Sequence, residues 1–370
     1  MNILILNYEF PPLGGGASPV SFEISKRLAQ QGHRVDVITM SYKNLPSYEI
    51  IEGVHIYRVK SIRSRKDICK THEMLSYIIS AKFFLNKHLK NKSYDICHCH
   101  FLIPTGILAL WIKKKFGIEY VITAHGSDVP GYNSDRFLFL HYFTKPLLRV
   151  ICNNAKSICS SSKYLIKLIH QNIGKYNIKH IPNGIDPTPY LLKNNEQKEQ
   201  IILSTGRLLK RKGFDTLIKA VRAISFPLQV HIVGDGPYKK ELIKLAKHSK
   251  TKIIFHGWVE KDSSKLINLY KKAMIFSLVS SKENASIALL EAMASKCVII
   301  TSNTSGCPET INDSGFTIKP GDYIKLRTIL QNLTFDKTLV EAYSQRSFQR
   351  VNEYYLWDTI IKKYLKEFEK

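Results

Sequence analysis

Apolar residues occur along this chain in short unbroken runs separated by longer stretches of helical periodicity. The first run covers residues 3–6, and a loop containing Pro11, Pro12 and Gly14-Gly15-Gly16 follows it. Residues 20–31 repeat their apolar positions at helical spacing and end at Gly32, and a second apolar run covers 34–39. Short continuous runs suit strands buried on both faces, and strand, glycine loop, helix and strand in that order predict a βαβ unit with a parallel sheet. Runs at 56–59, 96–98, 120–123 and 157–159 extend the same sheet.

The plan restarts near residue 200. Residues 201–204 predict a strand, 206–213 a glycine-bounded basic loop, and 214–223 a helix, with further strands at 229–233, 253–255, 275–278 and 298–301. Between the halves, 181–187 reads Ile-Pro-Asn-Gly-Ile-Asp-Pro and leads into a polar run at 193–200, which predicts an interdomain linker. The expected domains are 1–180, a linker at 181–199, a second domain at 200–349, and a C-terminal segment at 350–370. In that last segment Trp357, Ile360, Ile361 and Tyr364 fall at helical spacing. The fold class expected is α/β: two Rossmann-like, doubly wound parallel-sheet domains facing across a cleft, with a ligand at the carboxyl ends of the strands. A length of 370 residues suits two such domains.

Other features narrow the class. No apolar stretch reaches the length of a membrane span, and the N-terminus lacks the charged leader of a signal peptide. Seven cysteines without a regular framework fit a reducing compartment, so a cytoplasmic protein is expected. Lys and Arg number 55 against 30 Asp and Glu, a net charge of +25. Residues 57–92 concentrate ten basic side chains against two acidic ones. Such a field attracts nucleic acid, anionic lipid or phosphorylated ligands, and equally suits a lysine-rich solvated surface.

Three features carry chemistry. Backbone amides of Gly15 and Gly16 can approach a diphosphate at the start of a helix, although the loop is not GxGxxG. After the first strand of the second half stands Gly206-Arg207-Leu208-Leu209-Lys210-Arg211-Lys212-Gly213, where Arg207 and Lys212 can converge on one diphosphate. Lys210 and Arg211 are expected to be solvated. The third is Glu283-Asn284-Ala285-Ser286-Ile287-Ala288-Leu289-Leu290-Glu291, expected to open a helix with Glu283 just before it and Glu291 two turns in. The alternative for this pair is a dipole-stabilising Glu283 and a solvated Glu291. Cys97-His98-Cys99-His100 has the residue types of a metal site, but strand alternation sends the cysteines and histidines to opposite faces. His100 is instead expected to line an acceptor site.

Together the Glu-x7-Glu pair, the Gly-Arg-x4-Lys-Gly loop and the glycine-rich first loop resemble the retaining glycosyltransferases of family 4, with the GT-B fold. The resemblance extends to His125-Gly-Ser-Asp128, the Ile-Pro-Asn-Gly-Ile-Asp of 181–186, Val233-Gly-Asp-Gly-Pro237 and Gly306-Cys-Pro-Glu309. It implies a cytoplasmic enzyme that moves a sugar from a UDP-, GDP- or ADP-linked donor to a glycan or lipid-linked acceptor in cell-surface polysaccharide or lipopolysaccharide assembly. Arg207 and Lys212 would bind the diphosphate, and Glu283 would hold hydroxyls of the sugar. Glu291 would hold the ribose, and His125 would reach the donor sugar. Gly15, Gly16, Gly234, Asn284, Ala285, Ser286 and Ile287 would contribute to the donor site. The C-terminal helix would cross back to the first domain. The chain departs from the family where Glu-Asn-Ala-Ser replaces Glu-Gly-Phe-Gly, with Asn284 suited to a glycine's backbone angles, and where Val279 replaces a proline.

No metal is expected to be required, since cationic side chains and helix amides can neutralise the diphosphate and no Asp-x-Asp triplet is present. No other cofactor is implied. Nucleic acid is not an expected partner, because the paired glutamates would then be idle. The rival readings are a sugar-nucleotide epimerase or phosphorylase of the same fold, or a basic nucleic-acid-binding protein. Arg58, Lys60, Arg63, Arg65, Lys66 and Lys70 precede a helical run at 74–85 in which Met74, Leu75, Ile78, Ile79, Phe83, Phe84 and Leu85 are interspersed with basic residues. That stretch predicts either docking on an anionic inner membrane face or an ordinary core helix.

Overall fold

The computed structural model describes residues 1–132, 138–192, 196–223, 227–261 and 263–370. The chain forms two compact units, one of Met1–Asn183 with Trp357–Lys370, the other of Gly184–Leu356.

In the first unit the elements run β1 (Asn2–Leu6), α1 (Ala17–Gln30), β2 (Arg34–Met40), β3 (Tyr48–Ile51), β4 (Val54–Val59), α2 (Thr71–Asn91) and β5 (Ile96–His100). There follow α3 (Thr105–Phe116), β6 (Tyr120–Ala124), α4 (Leu138–Asn154), β7 (Ser157–Ser160), α5 (Lys163–Asn172) and β8 (Ile178–His180). The sheet order is β3-β4-β2-β1-β5-β6-β7-β8, parallel except for the β3–β4 pair. Strand order reverses between β1 and β5, the switch point of a doubly wound sheet. On one face Leu4, Leu6, Cys97, Cys99, Tyr120 and Ile122 share a core with Tyr77 and Leu85 of α2 and residues of α3, α4 and α5.

The second unit contains β9 (Glu199–Thr205), α6 (Phe214–Val221), β10 (Gln229–Val233), α7 (Lys239–Ala246), β11 (Ile253–Gly257), α8 (Ser264–Lys272) and β12 (Ala273–Leu278). It continues through α9 (Ile287–Ala294), β13 (Val298–Ser302), α10 (Cys307–Ile311), β14 (Gly315–Ile318), α11 (Tyr323–Phe335) and α12 (Lys337–Tyr354). Its sheet, β11-β10-β9-β12-β13-β14, is parallel throughout and switches between β9 and β12.

The last helix, α13 (Trp357–Glu369), belongs to the first unit. Trp357, Ile360, Ile361, Tyr364 and Phe368 are buried there, and α13 packs on α1. Lys156 Nζ donates to the Phe368 carbonyl at 2.8 Å, and Ser157 Oγ donates to Glu367 Oε2 at 2.7 Å. The segment expected at 350–370 is therefore divided. Its first residues end α12, where the Arg350 guanidinium donates to the carbonyls of Thr310 (2.7 Å) and Glu309 (2.9 Å) and so stays in the second unit. The expected linker is likewise divided. Ile181 still bonds the Ser160 carbonyl at 2.9 Å, whereas Ile185 bonds that of Tyr355 at 2.8 Å and is buried in the second unit with Tyr190.

Three local differences from the sequence expectation have simple causes. Helix α1 begins at Ala17 rather than at residue 20, because Pro19 falls in the first turn, where its missing N–H costs nothing. Strand β3 was not expected; it joins β4 through Glu52 (φ 52°) and Gly53 (φ 79°), a two-residue turn with positive φ at both positions. Helix α9 begins at Ile287, so Glu283 to Ser286 form a loop and Glu291 lies little more than one turn in.

Candidate active site

The site is clearest in the second unit, around the strands that flank its switch point. After β9, Gly206 (φ 142°) turns the chain so that its N–H donates to the Val233 carbonyl at 3.0 Å, and Leu208 donates to the Asp235 carbonyl at 2.9 Å. The loops after β9 and β10 touch backbone to backbone. A Cβ on Gly234 (φ 135°) would lie 1.9 Å from the Gly206 oxygen, so only glycine fits. Packing alone thus accounts for Gly234.

Residues 210–212 form one tight turn, closed by Gly213 at φ 75°, which leads into α6. This basic loop is laced to the segment after β12. Ser281 N–H donates to the Arg211 carbonyl at 2.8 Å, and Arg211 Nη1 donates to the Lys282 carbonyl at 3.1 Å. The Lys212 ammonium is paired with the Glu283 carboxylate, which also accepts from Ser280 Oγ at 2.9 Å. Lys212 and Glu283 side chains are largely buried, at 16% and 10% exposure, while Arg207 and Lys210 are exposed on the same loop. The structure therefore brings Lys212 and Glu283, remote in sequence, into one ion pair.

Glu283 is held from behind as well. Its N–H donates to Ser305 Oγ at 3.0 Å, and its carbonyl accepts from Gly306 N–H at 3.0 Å. The Asn284 carbonyl packs where a Cβ on Gly306 would stand, 1.8 Å away. Asn284 does not use glycine's backbone angles; Ser305, at φ 55°, takes the left-handed conformation in this pair of loops. Ala285 and Ser286 continue the loop to the start of α9.

Glu291 is not solvated. It is buried in α9 beside the Tyr270 hydroxyl, to which it is hydrogen-bonded, and that hydroxyl also contacts Thr205 Oγ1 at 2.8 Å. Burial, with the Glu291 charge next to it, holds the Tyr270 hydroxyl well above the ordinary tyrosine range. Tyr270, Thr205, Ser280 and Ser305 escape a sequence reading because each comes from a different element and carries no motif.

In the first unit, Gly14 (φ 96°) closes the loop after β1, where a Cβ would meet Glu9 Cβ at 2.6 Å. Gly15 and Gly16 differ: a Cβ on either would meet no atom of the described residues within 4 Å. Their backbone borders open space at the N-terminus of α1. His125 follows β6. Its loop is organised by Asp128, whose Oδ1 accepts from the N–H groups of His125 (3.1 Å) and Gly126 (2.8 Å) while Oδ2 accepts from Leu102 (2.8 Å).

His100 does not line a surface. It is fully buried, and its Nδ1 lies 2.9 Å from His125 Nε2. Strand alternation explains this: Cys97 and Cys99 face the α2–α3 core, while His98 and His100 face the other side, where His98 lies against the rings of Tyr364 and Phe368 of α13. Among the described residues no group of three or more His, Cys, Asp or Glu could hold a metal ion. Burial lowers the basicity of His98 and His125 to a pKa of about 3 and that of His100 well below the usual range.

The basic stretch at 57–92 is only partly a surface. Arg58 is buried and pairs with Glu49, and the Arg63 side chain is buried against the carbonyls of Arg65 (2.7 Å) and Lys66 (3.3 Å). Lys60, Arg65, Lys66, Lys70, Lys82, Lys87 and Lys90 are exposed. Helix α2 serves both sides: Tyr77, Ala81 and Leu85 face the core, whereas Leu75, Ile79 and Phe83 are exposed, Phe83 by 75%. No helix among the described residues is long and apolar enough to cross a membrane.

Two doubly wound sheets in one chain, with glycine-bearing loops at the carboxyl ends of the strands around each switch point, are the architecture of the GT-B fold. The family described as "Glycosyltransferase Family 4" matches residues 14–188, and "Glycosyl transferases group 1" matches residues 192–350. The chain belongs to the family 4 glycosyltransferases and is a glycosyltransferase. It is 27% identical to an uncharacterised glycosyltransferase of Methanocaldococcus jannaschii, over 98% of this chain and 96% of the relative. It is 25% identical to the N-acetyl-alpha-D-glucosaminyl L-malate synthase of Bacillus anthracis (95% and 93% covered). With the alpha-monoglucosyldiacylglycerol synthase of Streptococcus pneumoniae the identity is 23% (97% and 86% covered). Among solved structures, sucrose-phosphate synthase of Thermosynechococcus elongatus superposes with a TM-score of 0.83 at 19% identity, covering 100% and 98% of the two chains. Anabaena HepE in complex with UDP gives 0.78 at 16% identity, with both chains fully covered.

Proposed function

We propose that this glycosyltransferase moves a sugar from a nucleoside-diphosphate donor to a glycan or lipid-linked acceptor, with retention of anomeric configuration and without a metal ion. The Lys212–Glu283 pair carries the reading. It sets a cation and a carboxylate side by side after β9 and β12, on the same loop as the exposed Arg207. A cation there can stabilise the charge that develops on a departing diphosphate, and a carboxylate can hold hydroxyls of the sugar. Glu291, anchored by Tyr270, would take the ribose hydroxyls. The open backbone at Gly15 and Gly16 would accept the diphosphate from the first unit, and His125 would meet the donor sugar.

The path favoured is front-face. The donor's C1–O bond breaks, the diphosphate takes the electron pair, and its oxygen receives the proton of the acceptor hydroxyl as the new glycosidic bond forms. UDP in the HepE structure favours a uridine donor for the first trials. The diacylglycerol acceptor in the pneumococcal relative's name agrees with a lipid-linked acceptor here. The exposed Leu75, Ile79 and Phe83, with basic side chains around them, suit docking on an anionic inner membrane face in cell-surface glycan assembly.

Thermal denaturation of the intact chain with UDP-, GDP- and ADP-sugars, each with and without EDTA, tests the donor and metal readings. A ligand that binds the native state raises the melting temperature. One nucleotide series should do so equally in EDTA; a rise seen only with Mn²⁺ or Mg²⁺ rejects the metal-free path, and no rise with any series rejects the donor site.

A further inference from the structure

We infer that His100 sets the tautomer of His125, so that His125 acts as an Nδ1–H hydrogen-bond donor and not as a base. The inference of a donor toward the reacting sugar rests on the proposed role of His125, while the tautomer itself follows from the buried geometry of the first unit. His100 ends β5, and its ring lies nearly parallel to that of His125, with centroids 5.2 Å apart and planes inclined by 20°. Its Nδ1 is 2.9 Å from His125 Nε2, so one of these two nitrogens carries the shared hydrogen.

The other nitrogen of His100 decides which. Nε2 of His100 is buried and, among the described residues, has no hydrogen-bond partner. A buried N–H without an acceptor is rarer and more costly than a buried lone pair without a donor. His100 therefore keeps Nε2 bare and carries its proton on Nδ1. It donates to His125 Nε2, which must accept, and a neutral His125 then holds its own proton on Nδ1. The cationic form, which would donate from both nitrogens, is suppressed by burial at neutral pH.

The neighbouring ring obeys the same rule. His98 Nδ1 is also buried without a partner among the described residues, so its proton lies on Nε2, which meets Thr123 Oγ1 at 2.8 Å. The Thr123 hydroxyl reaches the Tyr364 hydroxyl of α13 at 3.3 Å. The rings of His98 and His100 stand 4.4 Å apart, and Tyr364 and Phe368 wall in His98. Three imidazoles thus run from the His125 loop into the core, His100 stacked on His125 and tilted against His98, each with one assigned proton. His100 is a positioning residue: it touches no substrate and acts through His125. In the proposed reaction His125 Nε2 is already taken by His100, so His125 is not the base and the acceptor's proton must go elsewhere.

Long-range proton–nitrogen correlation NMR on the full chain with nitrogen-15 histidine tests this without any ligand. The His125 signals are identified by their loss in His125→Gln. In the wild type His125 should show a protonated Nδ1 and a bare Nε2, in a ratio of at least about tenfold given the cost of an orphaned donor. His100→Phe should erase that preference, and His100→Asn, whose amide can donate from the Nδ1 position, should restore it. A protonated Nε2 in the wild type, or an unchanged tautomer in a folded His100→Phe, overturns the proposal. If His100→Phe does not fold, the wild-type tautomer and His100→Asn still decide. Turnover of UDP-glucose by His125→Ala is a separate readout: full activity removes His125 from the donor site and leaves the tautomer assignment standing.

Discussion

Glu291 and Tyr270 illustrate how a buried carboxylate is held in place. A buried carboxylate needs partners, and the Tyr270 hydroxyl supplies one hydrogen bond while its other contact, Thr205 Oγ1, keeps it in place. Glu291→Gln preserves the shape but replaces a charged acceptor with an amide. Binding of the free nucleotide should weaken about tenfold, as expected when a hydrogen bond to a charged group is lost. Titration calorimetry checks this, and an unchanged affinity assigns the ribose elsewhere. The residue types at Glu283, Glu291, Arg207, Lys212 and His125 were readable because spacing and motif mark them. Their partners were not. Tyr270 lies on α8 and Ser305 after β13, and nothing in their local sequence points to the glutamates they support. His100 was misjudged for a related reason: its place at a strand end says nothing about the His125 ring that packs over it.

At the scale of elements, glycines of similar appearance do different work. Gly234 stands at φ 135° with the Gly206 oxygen 1.9 Å from a Cβ position, whereas a Cβ on Gly15 would have no described residue within 4 Å. Gly234→Ala should therefore destabilise the second unit by at least about 2 kcal/mol, from backbone strain and overlap together. Gly15→Ala should leave the melting temperature within about one degree, since a solvent-facing surface substitution seldom exceeds half a kcal/mol. If donor oxygens approach that backbone, Gly15→Ala should still weaken donor binding. Parallel melts and donor titrations of the two variants distinguish packing from ligand approach; equal melting temperatures would contradict this division. Strands with continuous apolar runs were legible because burial on both faces leaves no alternation. The β3–β4 hairpin was hidden because Glu52 occupies a positive-φ position where Asn or Asp is the usual signal. The start of α9 was displaced because Glu283 and Asn284 are fastened to the loop after β13.

The whole molecule carries two consequences of its composition. His98, His100 and His125 are buried and neutral, with folded basicity below the ordinary value of about 6.5 that they regain on unfolding. The unfolded chain thus binds more protons between those limits. Their contribution is complete above about pH 6.5 and is lost as the pH falls toward 3, at about 1.4 kcal/mol per unit for each histidine. Urea unfolding of the first unit should show a lower midpoint at pH 5.5 than at pH 7, with a smaller drop in His98→Phe. An equal midpoint at both values would mean that these histidines are protonated in the native state. The exposed Leu75, Ile79 and Phe83 and the surrounding cations make the second consequence. Sedimentation with anionic vesicles should exceed that with neutral ones, fall with salt, and weaken when Arg65, Lys66 and Lys70 become Ser, at about 1 kcal/mol per basic residue. Arg63 is unsuitable for that test because its side chain is buried. A chain that stays in the supernatant with every vesicle does not dock by this face.

On the proposed function, the basic loop after β9 stabilises a departing nucleoside diphosphate. Phosphorus NMR of diphosphate release, from the donor that raises the melting temperature, tests it in Arg207→Ala and Lys212→Ala beside the wild type. Removing one preorganised donor to developing charge costs about a hundredfold to a thousandfold in turnover. Losses of that order in both variants are the expected result, with the melting temperature close to wild type in Arg207→Ala and lowered in Lys212→Ala, where the Glu283 carboxylate is left without its buried partner. Release within a few-fold of wild type in both would place the leaving group somewhere other than the Gly206–Gly213 loop.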